Sequence, residues 1–343
     1  MAGIIENKTL YSNCGDTCYK YIIENNSVMR REESRLYSNH EEADSRMFHH
    51  VSFSAFQQLS SDATSMVNDD RSLTTIVCTN DVDCLIIAFG CFNKLLNLNS
   101  NLKLWLEVGV SSKNNLRYIS CINEIFEGIG SSLALALPAF HAFFGCDYTA
   151  AFRRKGKLRP FKLLKDDIPA QEAFATLGEG LSEIPSDVEK EIEKFLCKVY
   201  GKKKLTSINE VRFQIFLDKY KQKKKKNQSI TDVKTMDGSS MPPCFKVLKE
   251  KIKRTSLVAS KWYSSTDPYE PDMPPECHGW IIHEGKYKMK WFEGPAAPKS
   301  LDIVLTDAGS EDEDEENDGD KEIDEVSSPE DDEEEEDEEY DEN

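Results

Sequence analysis

The spacing of apolar and polar positions changes several times along the chain, and each change marks an element. Residues 10–24, LYSNCGDTCYKYIIE, are rich in aromatic and β-branched side chains around Gly15-Asp16, which predicts a β-hairpin turning at that pair. Ala43, Met47, Val51, Ala55 and Leu59 then recur every four residues, the stripe of a helix over about 40–59. Ser38 followed by Glu41, or Asn39 followed by Glu42, fits a capping box at its start. The stretch 72–89, SLTTIVCTNDVDCLIIAF, reads as β-rich, with a buried strand at 73–78 ending in Thr-Asn-Asp. LKLWLEVGV at 102–110 predicts another strand, and 118–144 is helical, interrupted at 128–132 and pinned by Pro138. This β–α–β–α alternation predicts an α/β unit on a parallel sheet.

Further on, residues 188–200 and 208–220 have the spacing of amphipathic helices, and KYKQKKKKNQS at 219–229 is a basic loop. Residues 242–305 carry Trp262, Trp280 and Trp291 among prolines, which predicts a compact layer packed on the domain with the tryptophans in its core. No repeat of 20–50 residues is visible. The expected organisation is an α/β core over 1–160, a helical region with its basic loop over 161–240, a Trp/Pro-rich region over 241–309 and a tail over 310–343.

Charge sharpens this picture, because the net −19 of the 343 residues is unevenly distributed. Residues 310–343 hold 23 of the 62 acids beside one lysine, Lys321, so the preceding 309 residues are close to neutral at +3. Such a tail lacks the apolar surface to offset its ordering entropy and is expected to be disordered, open to basic protein partners. No run of 18 apolar residues predicts a membrane span, and MAGIIENKTLYSN lacks the regions of a signal peptide. Ten cysteines are scattered, with Cys84, Cys121 and Cys197 inside apolar runs, as expected of an intracellular reducing compartment, nucleus or cytoplasm. Cys14 and Cys18 lack the second pair that would make a zinc set. The run Lys223–Lys226 fits nuclear import or nucleic-acid contact as well as a plain solvated loop.

Three acidic motifs change the picture most. SNHEEADSRMFHH at 38–50 holds Glu42 and Asp44, more acids than capping needs. TNDVDC places Asp81 and Asp83 two apart at a strand's carboxyl end, on one face and where ligands of parallel α/β sheets gather. HAFFGCDYTAAF sets Asp147 against an apolar run, where a carboxylate is expected to be partly buried. Each alone also fits a turn or a helix cap. Together they would put five carboxylates at one end of a sheet, whose repulsion calls for divalent cations, and all-oxygen ligands suit Mg²⁺ or Mn²⁺. His49, His50 and His141 are expected on helices, packed or facing solvent.

In order and character, Glu42-Ala43-Asp44, Thr79-Asn80-Asp81-Val82-Asp83 and Gly145-Cys146-Asp147-Tyr148 resemble the E-A-E, T-E-D-x-D and G-x-D-Y motifs of flap endonucleases, members of the PIN-like nuclease superfamily. The resemblance covers about 38–160. It implies that Glu42, Asp44, Asp81, Asp83 and Asp147 are catalytic metal ligands of a two-metal Mg²⁺ or Mn²⁺ site that hydrolyses phosphodiesters of DNA or RNA. The family also uses an aspartate on a first strand; here only Asp16 precedes Asp44, in a hairpin context that does not match. The expected fold is therefore a PIN-like parallel-sheet core lacking its N-terminal part. Where the family grips duplex phosphates with a glycine-rich hairpin, this chain has Arg153, Arg154, Lys155 and Lys157 around one glycine, so side-chain charge would replace backbone contacts. A catalytically inactive nucleic-acid- or protein-binding derivative is the alternative. EEADSRM, ALPAFHAFFGCDYTAAF and the terminal HGW…W…GPAAP are also similar to a group of mobile-element-associated animal proteins, over most of 9–305.

Overall fold

A computed structural model describes residues 8–62, 73–109, 118–223 and 238–294. The acidic tail and most of the basic run at 219–229 lie outside the described residues. The fold is mixed α/β, and Met1–Glu293 form one compact unit.

The hairpin forms as expected and then continues. β1 (Leu10–Cys14) and β2 (Thr17–Glu24) pair antiparallel through Gly15-Asp16, and β3 (Ser27–Glu32) adds a third strand on β2. The second turn is Asn25-Asn26, both at positive φ (51° and 61°), a conformation asparagine tolerates and two-residue hairpins require. That Asn-Asn pair was the signal for the extra strand.

Helix α1 (Ala43–Asp62) starts later than the capping-box reading places it. Ser38 Oγ accepts the His40 N–H at 3.3 Å and Asn39 Oδ1 accepts the Glu270 N–H at 2.8 Å, so both act outside the helix. Its buried face is Phe48, Val51, Phe53 and Ala55, whereas Ala43 is exposed.

β4 (Thr74–Thr79) and β5 (Lys103–Val108) pair in parallel, joined by α2 (Asp83–Leu98). Two expectations change here. CLIIAF is the start of a buried helix and not strand, since a short apolar run fits either and its sixteen-residue length decides for helix. The expected parallel sheet is a mixed three-stranded one, order β4-β5-β6, because β6 (Tyr118–Cys121) runs antiparallel to β5.

The helical stretch then breaks as its glycines predict. α3 (Ile122–Ile129) and α4 (Ser131–Phe144) meet at Gly130, at φ 81°. α4 is apolar almost all round and lies at the centre of the core. α2 approaches it closely at Gly90, where an added Cβ would sit 3.1 Å from Pro138 Cγ. α5 (Leu158–Leu164), α6 (Ile168–Leu177), α7 (Ser186–Val199) and α8 (Ile208–Lys223) follow, the last two at the expected positions.

The Trp/Pro-rich segment packs on the domain as expected, but more deeply than a covering layer. It begins with the nineteen-residue α9 (Phe245–Tyr263), which packs on α2, α4, α6 and α7. One apolar cluster runs from Phe48 to Trp262. A 3₁₀ turn (Pro275–His278) and the hairpin β7 (Trp280–His283) and β8 (Lys286–Met289) close over α9. Arg254, buried on α9, holds that hairpin by donating to the carbonyls of Gly279 (2.9 Å) and Lys290 (2.6 Å). Trp262 is core, but Trp280 is half-buried and Trp291 exposed.

Among the described residues no single helix is long and apolar enough to cross a membrane. The α3–α4 pair has the length and composition only when taken together across a 102° bend.

Candidate carboxylate site

Four of the five acids come together, from the starts of two helices. Glu42 directly precedes α1 and Asp44 lies in its first turn, while Asp81 follows β4 and Asp83 opens α2. The expected reason for the Asp81–Asp83 pairing was alternation along a strand. β4 in fact ends at Thr79, and a tight turn does the work: the Asp81 N–H donates to Thr79 Oγ1 (2.9 Å) and the Asp83 N–H to Asp81 Oδ1 (2.8 Å). Asp81 thereby satisfies an orphan backbone N–H at the start of α2. The N-terminal ends of both helices also favour nearby negative charge, a structural role that accompanies any chemical one.

The electrostatics tie the group together. Burial raises the Glu42 carboxyl above its usual range, against hydrogen bonds from Tyr148 and Trp262, with Asp44 and Asp83 adding to the rise. Asp44 is likewise raised, first by burial and then by Asp81 and Asp83, against the nearby Cys84 thiol, whose own hydrogen bond runs to Thr79 Oγ1 at 3.4 Å. In turn Cys84 is pushed up to about 12, mainly by burial. Trp262 Nε1 donates to Glu42 Oε2 at 3.3 Å. Thus α9, far along the chain, supports the first acidic motif.

Asp83 has a different partner. His141 Nε2, on α4, lies 2.9 Å from Asp83 Oδ1, and Lys157 Nζ lies 2.7 Å from the same ring nitrogen and 3.2 Å from Nδ1. Burial lowers the pKa of Lys157, opposed by Asp83. The His141 ring also meets Trp262 edge-on at 6.1 Å. His141 is therefore neither simply packed nor solvent-facing, and only the fold could reveal its partner.

Asp147 does not join the group. It was expected to be partly buried, yet it is exposed, because the Cys146–Thr149 bridge turns the chain just after α4. Its neighbour Tyr148, itself 37% exposed, turns to Glu42 and interacts with its carboxyl. Successive side chains diverge in so tight a turn, and sequence order alone cannot say which of the two faces the site. Gly145 sets this geometry: its φ is 116°, and a Cβ there would sit 2.8–3.1 Å from Ala151 Cβ, Cα and N. Gly145→Ala is expected to destabilise the protein by about 1–3 kcal/mol through backbone strain and overpacking. Chemical denaturation checks this, and an unchanged midpoint would show that the loop yields.

The basic residues spread out instead of forming one patch. Arg153 donates to Ser239 Oγ, and Arg154 is exposed in a left-handed conformation. Lys155 sits 4.8 Å over the Tyr200 ring, and Lys157 turns towards the acids. Among the described residues no three His, Cys, Asp or Glu side chains are placed to hold a metal ion as they stand. The donor chemistry still suits a hard cation, since Glu42, Asp44, Asp81 and Asp83 are all-oxygen ligands whose mutual repulsion a divalent ion would relieve.

Fold and site define a mixed α/β protein with a carboxylate group between two helix starts. No family model, curated protein or solved structure matches the chain.

Proposed function

We propose that this chain is a nuclease-derived protein with a PIN-like core, in which Glu42, Asp44, Asp81 and Asp83 take up Mg²⁺ or Mn²⁺ for phosphodiester hydrolysis of DNA or RNA. One observation carries the reading: acids from two separate motifs converge beyond the carboxyl end of β4, with Glu42 raised by burial and by Asp44 and Asp83, and Asp44 by burial and by Asp81 and Asp83. The full two-metal set that the motif resemblance implies also needs Asp147, which stands outside the group here. A bound cation supplies Lewis-acid activation of water and charge neutralisation at a phosphoryl oxygen. The chain's own contribution is to hold the carboxylates: Trp262 donates to Glu42 beside Tyr148, Asp81 is set by its turn onto the start of α2, and His141 with Lys157 restrains Asp83. The exposed Arg154 and its neighbour Arg153 would meet phosphates. Nucleus or cytoplasm fits such a substrate, and basic proteins are the partners proposed for the acidic tail.

A second reading, a binding module that does not cut, is favoured by the exposure of Asp147 and the His141 partner already on Asp83.

Melting curves with and without millimolar Mn²⁺ test the cation. At about a hundredfold its dissociation constant a native-state ligand adds about 2.7 kcal/mol. The wild-type protein should therefore melt higher with Mn²⁺, and Asp81→Asn with Asp83→Asn should remove the shift. Cleavage of branched and single-stranded DNA and RNA then separates the readings. A melting curve indifferent to Mn²⁺ would sink the cation site, and a shift without cleavage would favour the binding module.

A further inference from the structure

Beside Glu42, on the side of α9, lies a cavity of about 290 Å³ that the proposed reaction does not use. Four aromatic side chains line it: Tyr148, Trp262, Trp280 and Tyr287. Three carboxylates, Glu41, Glu42 and Glu270, share the lining with one ammonium, Lys261. Lys261 Nζ is spent on Glu270, 2.6 Å away, so the lining keeps an excess of negative charge. The indole N–H of Trp280 is buried and has no hydrogen-bond partner.

We infer that this cavity is an aromatic cage for a cationic lysine side chain, free or methylated, presented by a basic segment of another protein. Aromatic faces attract a cation through their quadrupole, and the attraction grows when the cation is desolvated. The carboxylates add charge complementarity and repel a phosphate, which weighs against a nucleotide occupant. The volume admits a lysine side chain, with Glu42 among the lining carboxylates. The unpartnered Trp280 donor calls for an acceptor on the ligand, and the backbone carbonyl of an extended peptide provides one. The hairpin of β7 and β8 that supplies Trp280 and Tyr287 is anchored by Arg254, so both rings are set in place before any ligand arrives.

The cavity shares Glu42 with the proposed cation site but does not need a cation there, and its test uses neither metal nor cleavage. Three peptides, identical except for lysine, trimethyllysine or norleucine at the centre, are titrated into the ¹⁵N-labelled full chain while the tryptophan indole N–H signals are followed. The lysine and trimethyllysine peptides should shift the Trp280 and Trp262 signals saturably, and the norleucine peptide should bind at least about tenfold more weakly. Tyr287→Ala and Glu41→Gln, at exposed positions, should each weaken binding about three- to tenfold with an unchanged melting temperature. Norleucine binding as tightly as lysine would reduce the site to an apolar pocket and overturn the cage. So would indole signals unmoved by any peptide at millimolar concentration, or moved more readily by a single-stranded oligonucleotide.

Discussion

Trp262→Ala is expected to destabilise the protein by about 3–5 kcal/mol, as for other fully buried tryptophans whose removal leaves an unfilled cavity. The side chain is 1% exposed, the largest of those fully enclosed by the core. It stands where α9 meets the acidic group, donating to Glu42 and lying edge-on to His141. Trp262→Phe also loses the hydrogen bond to the half-buried Glu42 but keeps most of the apolar volume, so its destabilisation should be the smaller of the two. Urea denaturation of both variants separates packing from the polar contact. The difference between the two reports packing, and a Trp262→Phe variant as stable as wild type would mean that the bond to Glu42 contributes nothing measurable.

Lys251 should give the strongest pH dependence. It lies on α9, 6% exposed, with its ammonium donating to the Ala150 carbonyl and standing 4.7 Å over the Phe152 ring and 5.6 Å over Phe143. Burial, with the nearby Arg254, lowers its pKa to about 7. A lysine whose folded pKa lies below its unfolded one binds its proton more tightly when unfolded. Stability therefore rises with pH between the two values and is flat below the lower one. From about pH 7 to the ordinary lysine value near 10.4, the rise amounts to at most roughly 4–5 kcal/mol. Lys251→Met should abolish this slope relative to wild type and raise stability at neutral pH. The gain is offset by about 1–3 kcal/mol for the Ala150 carbonyl left without its donor. Denaturation midpoints of both proteins at pH 6.5 and 9.5 decide it. Parallel pH profiles would show that the ammonium stays charged in the fold, stabilised by its rings and carbonyl.

Local signals served well where a single interaction decides the outcome. The Gly15-Asp16 turn, the β4 and β5 strands, the break at Gly130 and the helices α7 and α8 could all be read from periodicity and turn residues. Where two structures share one pattern, tertiary packing chose between them: Cys84–Phe89 joined a helix, and β6 was hidden at the head of a helical run. α9 was obscured by its composition. Its apolar positions are interleaved with Glu250, Lys251 and Arg254, which read as surface residues yet are buried because each finds a charge, ring or carbonyl partner. The acidic group was legible as far as Glu42, Asp44, Asp81 and Asp83. Its supports were not, since Trp262, His141 and Tyr148 arrive from distant elements or from the neighbouring position in a turn.

The late position of α9 in the chain has a consequence during synthesis. α4 is apolar nearly all round, and α9 covers part of it only after more than a hundred further residues have been made. At 5–20 residues per second, a nascent chain would carry that uncovered surface for roughly 5–25 s. The three-stranded β1–β3 meander has only local pairings and can form meanwhile, but it touches little of α4's surface. Slowing translation between the emergence of Phe144 and that of Trp262 should therefore lower the protein's soluble yield more than slowing it anywhere downstream.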